Sequence, residues 1–209
     1  MKLGEVKIEA LKLMFADYTD DIGIDNLQDL KTDENYGRYL NSMPGAINRC
    51  FARLEDTNAI PVKKVTLPKA NGTTANGRTR YNLSTLVSDF GRVDRIVYET
   101  ADDYEGNCDY IMETDSIILL EEKDSNYDLI YYPSMTRITS ATEETTELSL
   151  PDKVACIIPY FIKGDLFRED EPAEASEARN LFESSLDALN NEIQRRQTSV
   201  RQIFSQTEE

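Results

Sequence analysis

The sequence predicts an α+β fold, namely a helical bundle built from the N- and C-terminal helices with a small antiparallel β domain inserted between them. Apolar residues recur at helical spacing before residue 60 and again after residue 150, whereas the residues between form short β-branched and aromatic runs. Because helical segments flank the strands on both sides, packing the two ends together is the simplest way to bury their apolar faces.

Residues 1–59 predict the N-terminal helices of the bundle. The first helix covers residues 3–15, and a longer one runs from Asp33, a favourable N-cap residue, to about Thr57. Pro44 lies inside the longer pattern. Since proline lacks the backbone N–H and its ring clashes with the preceding turn, we expect a kink or a break there.

Residues 60–147 predict the inserted β domain, which we expect to be one small antiparallel sheet. Its strand candidates are VKKVTL, RTRYNL, DRIVYET, SIILLEE and DLIYYP. The segment LPKANGTTANGRTR contains two Asn-Gly pairs, which are typical of turns, and predicts a long loop or an extended hairpin.

Residues 148–197 predict a C-terminal helical hairpin that completes the bundle. Its first helix has an apolar stripe about 20 Å long, and Pro159 is expected to kink or restart that helix. Residues 168–171 form a polar turn, and Pro172 suits the first position of the second helix. Residues 198–209 are mostly polar and are assigned to a C-terminal tail.

Composition excludes several kinds of active site. The chain has no histidine, so it lacks the commonest general base and the commonest metal ligand. Its three cysteines, Cys50, Cys108 and Cys156, are too widely spaced for a zinc site and odd in number, and we expect buried or half-buried thiols. We therefore expect no catalytic residues, no metal and no cofactor, and a protein that is not an enzyme.

One enzyme-like string remains as the weaker alternative. Gly72–Thr79 has the spacing of a nucleotide-binding phosphate loop, except that Arg78 replaces the lysine. Such a loop needs a strand before it and a helix after it. Pro68 precedes the string and an extended RYNL follows, which favours a turn.

Charge is distributed unevenly along the chain. The net charge is −16, which argues against simple electrostatic binding to nucleic acid. Residues 60–98 contain 7 Lys and Arg against 2 Asp and Glu, whereas residues 99–152 contain 2 against 15. The basic half either faces phosphate or another subunit, or pairs with the acidic half of its own sheet, which is the interpretation we favour. Its candidate residues are Arg78, Arg80, Arg92 and Arg95.

The N-terminal segment gives an expectation about location. In MKLGEVKIEALKLMF the apolar residues are interrupted by charged ones, unlike the apolar region of a signal peptide or a membrane span. We therefore expect a cytoplasmic protein that does not contact membranes.

Five segments resemble the head-to-tail connector (adaptor) proteins of tailed bacteriophages, of the tail-tubular or adaptor-like type with a β insertion. IIPYFIKGDLFREDEP (157–172) and ARNLF (178–182) look like the C-terminal hairpin of that family. LKLMFADY (11–18), YGRYL (36–40) and AINRC (46–50) are similar to its helices before the β insertion. The resemblance covers the helical parts of the chain, and its motifs concern packing.

The resemblance implies a structural virion protein in the neck, or connector, which is assembled in the host cytoplasm. Family members form a ring, commonly a dodecamer, below the portal, extend the DNA channel and provide the tail attachment site. The implied partners are copies of the same chain, the portal protein, other neck or tail proteins and genomic DNA that passes without sequence-specific binding. An acidic channel wall would repel the phosphate backbone, which agrees with the net charge.

Two sets of interface residues follow from these expectations. The apolar stripe flanked by Tyr160 and Phe167 is larger than one neighbouring helix buries, and the family's C-terminal tails often order on the portal. The expected subunit or portal contacts are Tyr160, Phe167, Arg168, Arg195, Arg196, Arg201, Ile203 and Phe204. The expected charge contacts between β domains are Arg78, Arg80, Arg92 and Arg95.

An acidic inhibitor that mimics DNA is the alternative from a different functional class. Such a protein presents carboxylates at the spacing of phosphates to a nucleic-acid enzyme. Here the densest acidic residues are predicted in loops and the helices keep full apolar faces, which favours the adaptor.

Overall fold

The structure, a computed structural model, describes the backbone of residues 1–15, 22–99 and 105–205. The side chains of residues 99, 105 and 194–205 are outside this description. The described chain contains helices and antiparallel sheets, so the predicted α+β class is confirmed.

The chain divides into two compact units. The helical unit comprises Met1–Ile60 and Arg137–Glu209, and the β unit comprises Pro61–Thr136. Residues 137–147, which the sequence analysis places in the β domain, therefore belong with the helices.

In chain order the helices are α1 (Leu3–Met14), α2 (Leu27–Leu30), α3 (Gly37–Glu55), α4 (Leu83–Leu86), α5 (Asp152–Ala155), α6 (Ile158–Leu166) and α7 (Pro172–Ser205). The strands are β1 (Lys63–Leu67), β2 (Thr73–Ala75), β3 (Arg78–Asn82), β4 (Phe90–Glu99), β5 (Glu105–Asn107), β6 (Tyr110–Thr114), β7 (Ile117–Glu121) and β8 (Tyr127–Pro133).

Helix α6 forms the centre of the helical unit, where it packs against α1, α3 and α7. The ring of Phe161 on α6 meets that of Phe182 on α7 edge to face, with centroids 5.1 Å apart. Gly164 brings the two backbones together, since a Cβ there would lie 3.1 Å from the carbonyl oxygen of Ala175. Helices α6 and α7 therefore pack closely against each other.

Pro159 and Pro172 lie at helix starts, whereas Pro44 lies inside a helix. The single helix expected from about residue 150 is two helices, because α5 ends at Ala155 and Pro159 lies in the first turn of α6. In a first turn the missing N–H of proline has no helical partner to lose. Pro172 begins α7 as predicted, whereas α3 runs through Pro44 without a break.

The segment that returns from the β unit is irregular but well anchored. The side chain of Asn48 on α3 accepts a hydrogen bond from the backbone N–H of Ile138 (2.8 Å) and donates one to its carbonyl oxygen (2.7 Å). The backbone N–H of Gly4 donates to the carbonyl oxygen of Glu144 (2.8 Å). Because these groups satisfy its backbone, the returning chain needs no strand or helix here.

A buried ion pair reinforces the same contact. Lys7 on α1 is only 2% exposed, and its Nζ lies 2.8 Å from Oε1 of Glu144. The Nζ of Lys31 lies 3.4 Å from the same oxygen. Glu144 thus provides the negative charge that makes burial of Lys7 tolerable.

The β unit contains two four-stranded antiparallel sheets, in place of the one that the sequence predicts. Their strand orders are β1-β8-β4-β5 and β2-β3-β7-β6. The five predicted strands correspond to β1, β3, β4, β7 and β8, and the structure adds β2, β5 and β6. Side chains from both sheets share one core, in which the largest fully buried residues are Tyr81 and Tyr127.

Asp89 ties the ends of β1 and β8 together in the first sheet. Its carboxylate accepts hydrogen bonds from Nζ of Lys63 and from the hydroxyl of Tyr131 (2.8 Å). The Lys63 hydrogen bond, followed by that of Tyr131, holds the pKa of Asp89 below its usual value. Burial, with the same hydrogen bond, raises the pKa of Tyr131 to about 12.

The buried ion pair gives a first prediction. Glu144→Ala leaves the Lys7 ammonium buried and uncompensated, so the free energy of unfolding should fall by about 3–5 kcal/mol. The double variant Lys7→Met with Glu144→Leu should recover most of that loss, because it buries no charge. Urea unfolding followed by circular dichroism measures both. Recovery of none of the loss by the double variant would contradict the assigned role of the buried charge.

The Asp89 contacts give a second prediction. Asp89→Asn should lower the free energy of unfolding at pH 7 by about 1 kcal/mol, because it removes a carboxylate that accepts two hydrogen bonds. The folded-state pKa is depressed, so this contribution is complete above the unfolded pKa of about 4 and disappears as pH falls through the folded value. The difference from wild type should therefore be constant from about pH 7 to 5 and shrink below about pH 4.

Asp124→Asn is the matched control, since Asp124 is a fully exposed carboxylate that pairs with Lys69. It should leave stability unchanged at every pH. A pH-independent difference between wild type and Asp89→Asn would contradict the assigned role of the Asp89 carboxylate.

Candidate functional site

Phe167 does not face outward, so its prediction as a subunit contact is wrong. The side chain is 4% exposed and packs within the helical unit. Its ring lies 5.7 Å from that of Phe15 and 5.6 Å from that of Tyr39. Phe15 follows α1 and Tyr39 lies on α3. The sequence pattern of α6 alone does not show that both rings contact Phe167. Tyr160 is half-buried, and its role stays a prediction.

Arg168 is exposed and borders a polar cleft of about 460 Å³ in the helical unit. The other two arginines of the cleft are neutralised, since Arg38 pairs with Asp170 (2.7 Å) and Arg49 with Asp165. Within the described part of the chain Arg168 has no ion-pair partner. The cleft therefore offers one unpaired guanidinium, which suits an acidic group of a partner.

The remaining predicted contacts of the helical unit lie on the last part of α7. They are Arg195, Arg196, Arg201, Ile203 and Phe204. The backbone is helical to Ser205, but these side chains are outside the described ones. Their role as portal or subunit contacts stays a prediction.

The four arginines predicted to link β domains are divided between the two sheets. Arg78 and Arg80 lie on β3 and Arg92 and Arg95 on β4, which are inner strands of different sheets. Three of them have partners in their own unit: Arg80 pairs with Glu113 (2.8 Å), Arg95 pairs with Asp94 (2.9 Å), and the guanidinium of Arg92 lies 3.9 Å from the ring centre of Tyr132. The interpretation that we favour, pairing with the acidic half of the same sheet, therefore applies to Arg80.

The glycine-rich string Gly72–Thr79 forms the hairpin of β2 and β3. Its turn residues Asn76 and Gly77 have positive φ values of 54° and 74°, as the Asn-Gly signal predicts for a two-residue turn. Gly72 packs so tightly that a Cβ would lie 2.8 Å from the ring of Tyr81. A strand follows the turn where a phosphate loop needs a helix, so these residues lack the geometry of a phosphate-binding site.

Strand β6, which the sequence analysis did not predict, carries the most exposed apolar surface of the β unit. Its residues Tyr110, Ile111 and Met112 are 38%, 49% and 37% exposed. A groove of about 580 Å³ lies beside β6. It is lined by the apolar residues Phe90 and Val93 of β4 and by charged residues of β4 and of the β6 segment. The signal in the sequence was the apolar triplet between Asp109 and Glu113, which is too short to predict a strand by alternation.

Strand β1 forms a second exposed edge of different character. Val62, which precedes it, is 42% exposed. Lys63 and Lys64 are also exposed, although each pairs with a carboxylate of its own unit, Asp89 and Asp128 respectively. The β unit therefore has an acidic apolar edge and a basic one.

The described part of the chain contains few groups that could bind a metal or act as reactive thiols. No cluster of three His, Cys, Asp or Glu in the described residues has the geometry to hold a metal. The cysteines are free thiols; Cys50 and Cys108 are buried, whereas Cys156 is exposed, contrary to expectation. None of the described helices is both long and apolar enough to cross a membrane.

Comparison with known proteins does not assign the chain to a family. No protein-family model matches the chain, and a search of curated proteins finds no significant match.

Proposed function

We propose that the protein is a head-to-tail adaptor of a tailed bacteriophage, which forms a ring below the portal, extends the DNA channel and provides the attachment site for the tail. One observation carries the proposal. The described residues of the segments that resemble this family lie in or next to α1, α3, α6 and α7, and α6 packs against the other three. Segments far apart in sequence thus form one structural element, as a shared fold requires.

The length of α7 suits a docking element. The helix has 34 residues and is about 51 Å long. In its C-terminal half, after Leu186, the last fully buried side chain among the described ones, the described residues Leu189, Asn190, Glu192 and Ile193 are half-buried. The segment after Ile193 also carries the predicted contacts Arg195, Arg196 and Arg201. We assign this half of α7 to portal binding.

The charge of the chain suits a DNA conduit. At −16 per copy, a ring has a large negative charge, and the part that faces the channel repels phosphate and lets DNA pass without binding. Acidic residues in ion pairs contribute to the stability of the subunit, and the acidic residues in excess of these pairs are available to line the channel.

The contacts of the acidic residues favour the adaptor over a DNA mimic. A mimic presents unpaired carboxylates in a regular array. On the helical unit Asp165, Asp170 and Glu183 each pair with an arginine of α3. These carboxylates hold the helices together and are less available to an enzyme that binds DNA.

The experiment combines the purified chain with the portal protein encoded in the same genome and measures assembly by native mass spectrometry and electron microscopy. We expect a ring of adaptor subunits on the portal. Deletion of residues 194–209 should abolish portal binding, because it removes the predicted contacts Arg195, Arg196, Arg201, Ile203 and Phe204. Deletion of residues 206–209 is the matched control and should keep binding.

A chain that stays monomeric and never binds portal would contradict the proposal. If it instead competes with double-stranded DNA for a nuclease or polymerase, the acidic inhibitor is the correct function.

A further inference from the structure

We propose that β units of neighbouring copies join edge to edge, with β6 of one copy pairing with β1 of the next. The occupant of the exposed β6 edge is thus a second copy of this chain. The inference deepens the proposed function and rests on it for closure of the ring, whereas the strand pairing itself requires only that copies associate.

The β6 edge has the features of an unfilled pairing site. Among the described strands β6 pairs only with β7, which leaves its outer backbone groups available. Tyr110 and Met112 lie opposite Leu120 and Ile118, two buried core residues, so they belong to the inward face of the sheet and yet remain exposed. Proteins normally protect such an apolar edge, and one left open serves addition of another strand.

The outer edge of β1 is the matching partner. The four outer strands of the two sheets are β1, β5, β2 and β6. Strands β2 and β5 have three residues each, whereas β1 and β6 have five. Since main-chain hydrogen bonds supply much of the affinity of strand addition, the two longer edges offer the more stable contact.

The residues of the two edges differ in the sign of their charge, although Lys63, Lys64 and Glu113 each also have an ion-pair partner in their own unit. Residues 62–67 contain two lysines and no acidic residue, whereas residues 109–115 contain Asp109, Glu113 and Asp115 and no basic residue. A β6 edge that met a second β6 edge would bring carboxylates together, which is unfavourable. Charge complementarity therefore favours β1 as the partner of β6.

An antiparallel register matches both the charges and the apolar faces. Placing Lys64 opposite Glu113 also places Val65 opposite Met112 and Leu67 opposite Tyr110. Val65 and Leu67 pack in the core of their own unit, and Met112 and Tyr110 share the face of the core residues Ile118 and Leu120 that lie opposite them. Opposed residues share one face of a sheet, so the inward apolar faces of the two copies become continuous.

The topology of the β unit places the two edges on opposite sides. A short link, residues 68–72, joins β1 to β2, and these are the first strands of the two sheet orders. An even shorter link, Cys108 and Asp109, joins β5 to β6, the last strands of those orders. The links keep the ends of β1 and β2, and of β5 and β6, near each other, so β1 and β6 lie at opposite ends of the two strand orders. Such a head-to-tail contact builds a ring when the rotation between copies closes.

Crosslinking tests the pairing in the full chain. In a Cys156→Ser background, which removes the exposed thiol, one protein carries Thr66→Cys and another carries Ile111→Cys. These positions lie opposite each other in the proposed register, and both are exposed. With a short bismaleimide, the mixture should give a crosslinked dimer and neither protein alone should.

Each other outcome is decisive. Crosslinking of the Ile111→Cys protein by itself would mean that two β6 edges pair, and the inference would be overturned. Rings on the portal without any crosslink would overturn the inference and leave the proposed function intact. Crosslinking in the mixture without portal binding would support the inference and overturn the proposed function.

A charge series at one position gives an independent measurement. Ile111→Lys places a cation on the same face as Lys64 of the next copy, and should raise the concentration needed for half-assembly about tenfold or more. Ile111→Glu should have a smaller effect, because it meets that lysine with opposite charge. Leu181→Lys, at a comparably exposed apolar residue of α7 (46%), is the control and should not change assembly. Equal effects of Ile111→Lys and Ile111→Glu would overturn the proposed charge pairing.

Discussion

The burial of α6 against helices from both ends of the chain is the constraint on which the rest of the structure depends. Its residues Ile158, Phe161 and Ile162 are buried only because α1, α3 and α7 surround them. The core of the helical unit therefore forms only when residues from the two ends of the chain come together. The β residues must leave and return at neighbouring points, and the paired hydrogen bonds of Asn48 to Ile138 fix the point of return. Lys7 and Glu144 then lock the returning segment onto α1.

This organisation separates stability from association. In the helical unit, ion pairs such as Arg53 with Glu183 link helices that already share an apolar core. In the β unit, the core of the two sheets is complete in its middle and open along β6, where Tyr110 and Met112 stay exposed. An open apolar edge on a free protein risks aggregation. The high negative charge of each copy opposes such encounters at low salt, so that association requires the specific basic edge of β1.

The longer helices α1, α3, α6 and α7 were predictable because each has a periodic apolar stripe, and the start of α7 was predictable because proline at a first helical position has a clear physical reason. The burial of Phe167 was not, since it depends on where Phe15 and Tyr39 arrive from other parts of the chain. The interface arginines show the same limit. Sequence revealed a basic half and an acidic half, but only the strand order reveals that Arg80 and Arg92 sit on inner strands. Strand β6 was missed because its residues do not alternate in polarity, and that irregularity is also the feature that marks it as a contact surface.

The most direct measurement of the central claim is hydrogen–deuterium exchange, read by mass spectrometry, on the same protein below and above its assembly concentration. The account predicts that amides of β1 and β6 slow together on assembly, while those of the inner strand β8, already paired on both sides, change little. Protection confined to the helices, with both edge strands exchanging as fast in the assembly as in the free chain, would contradict it.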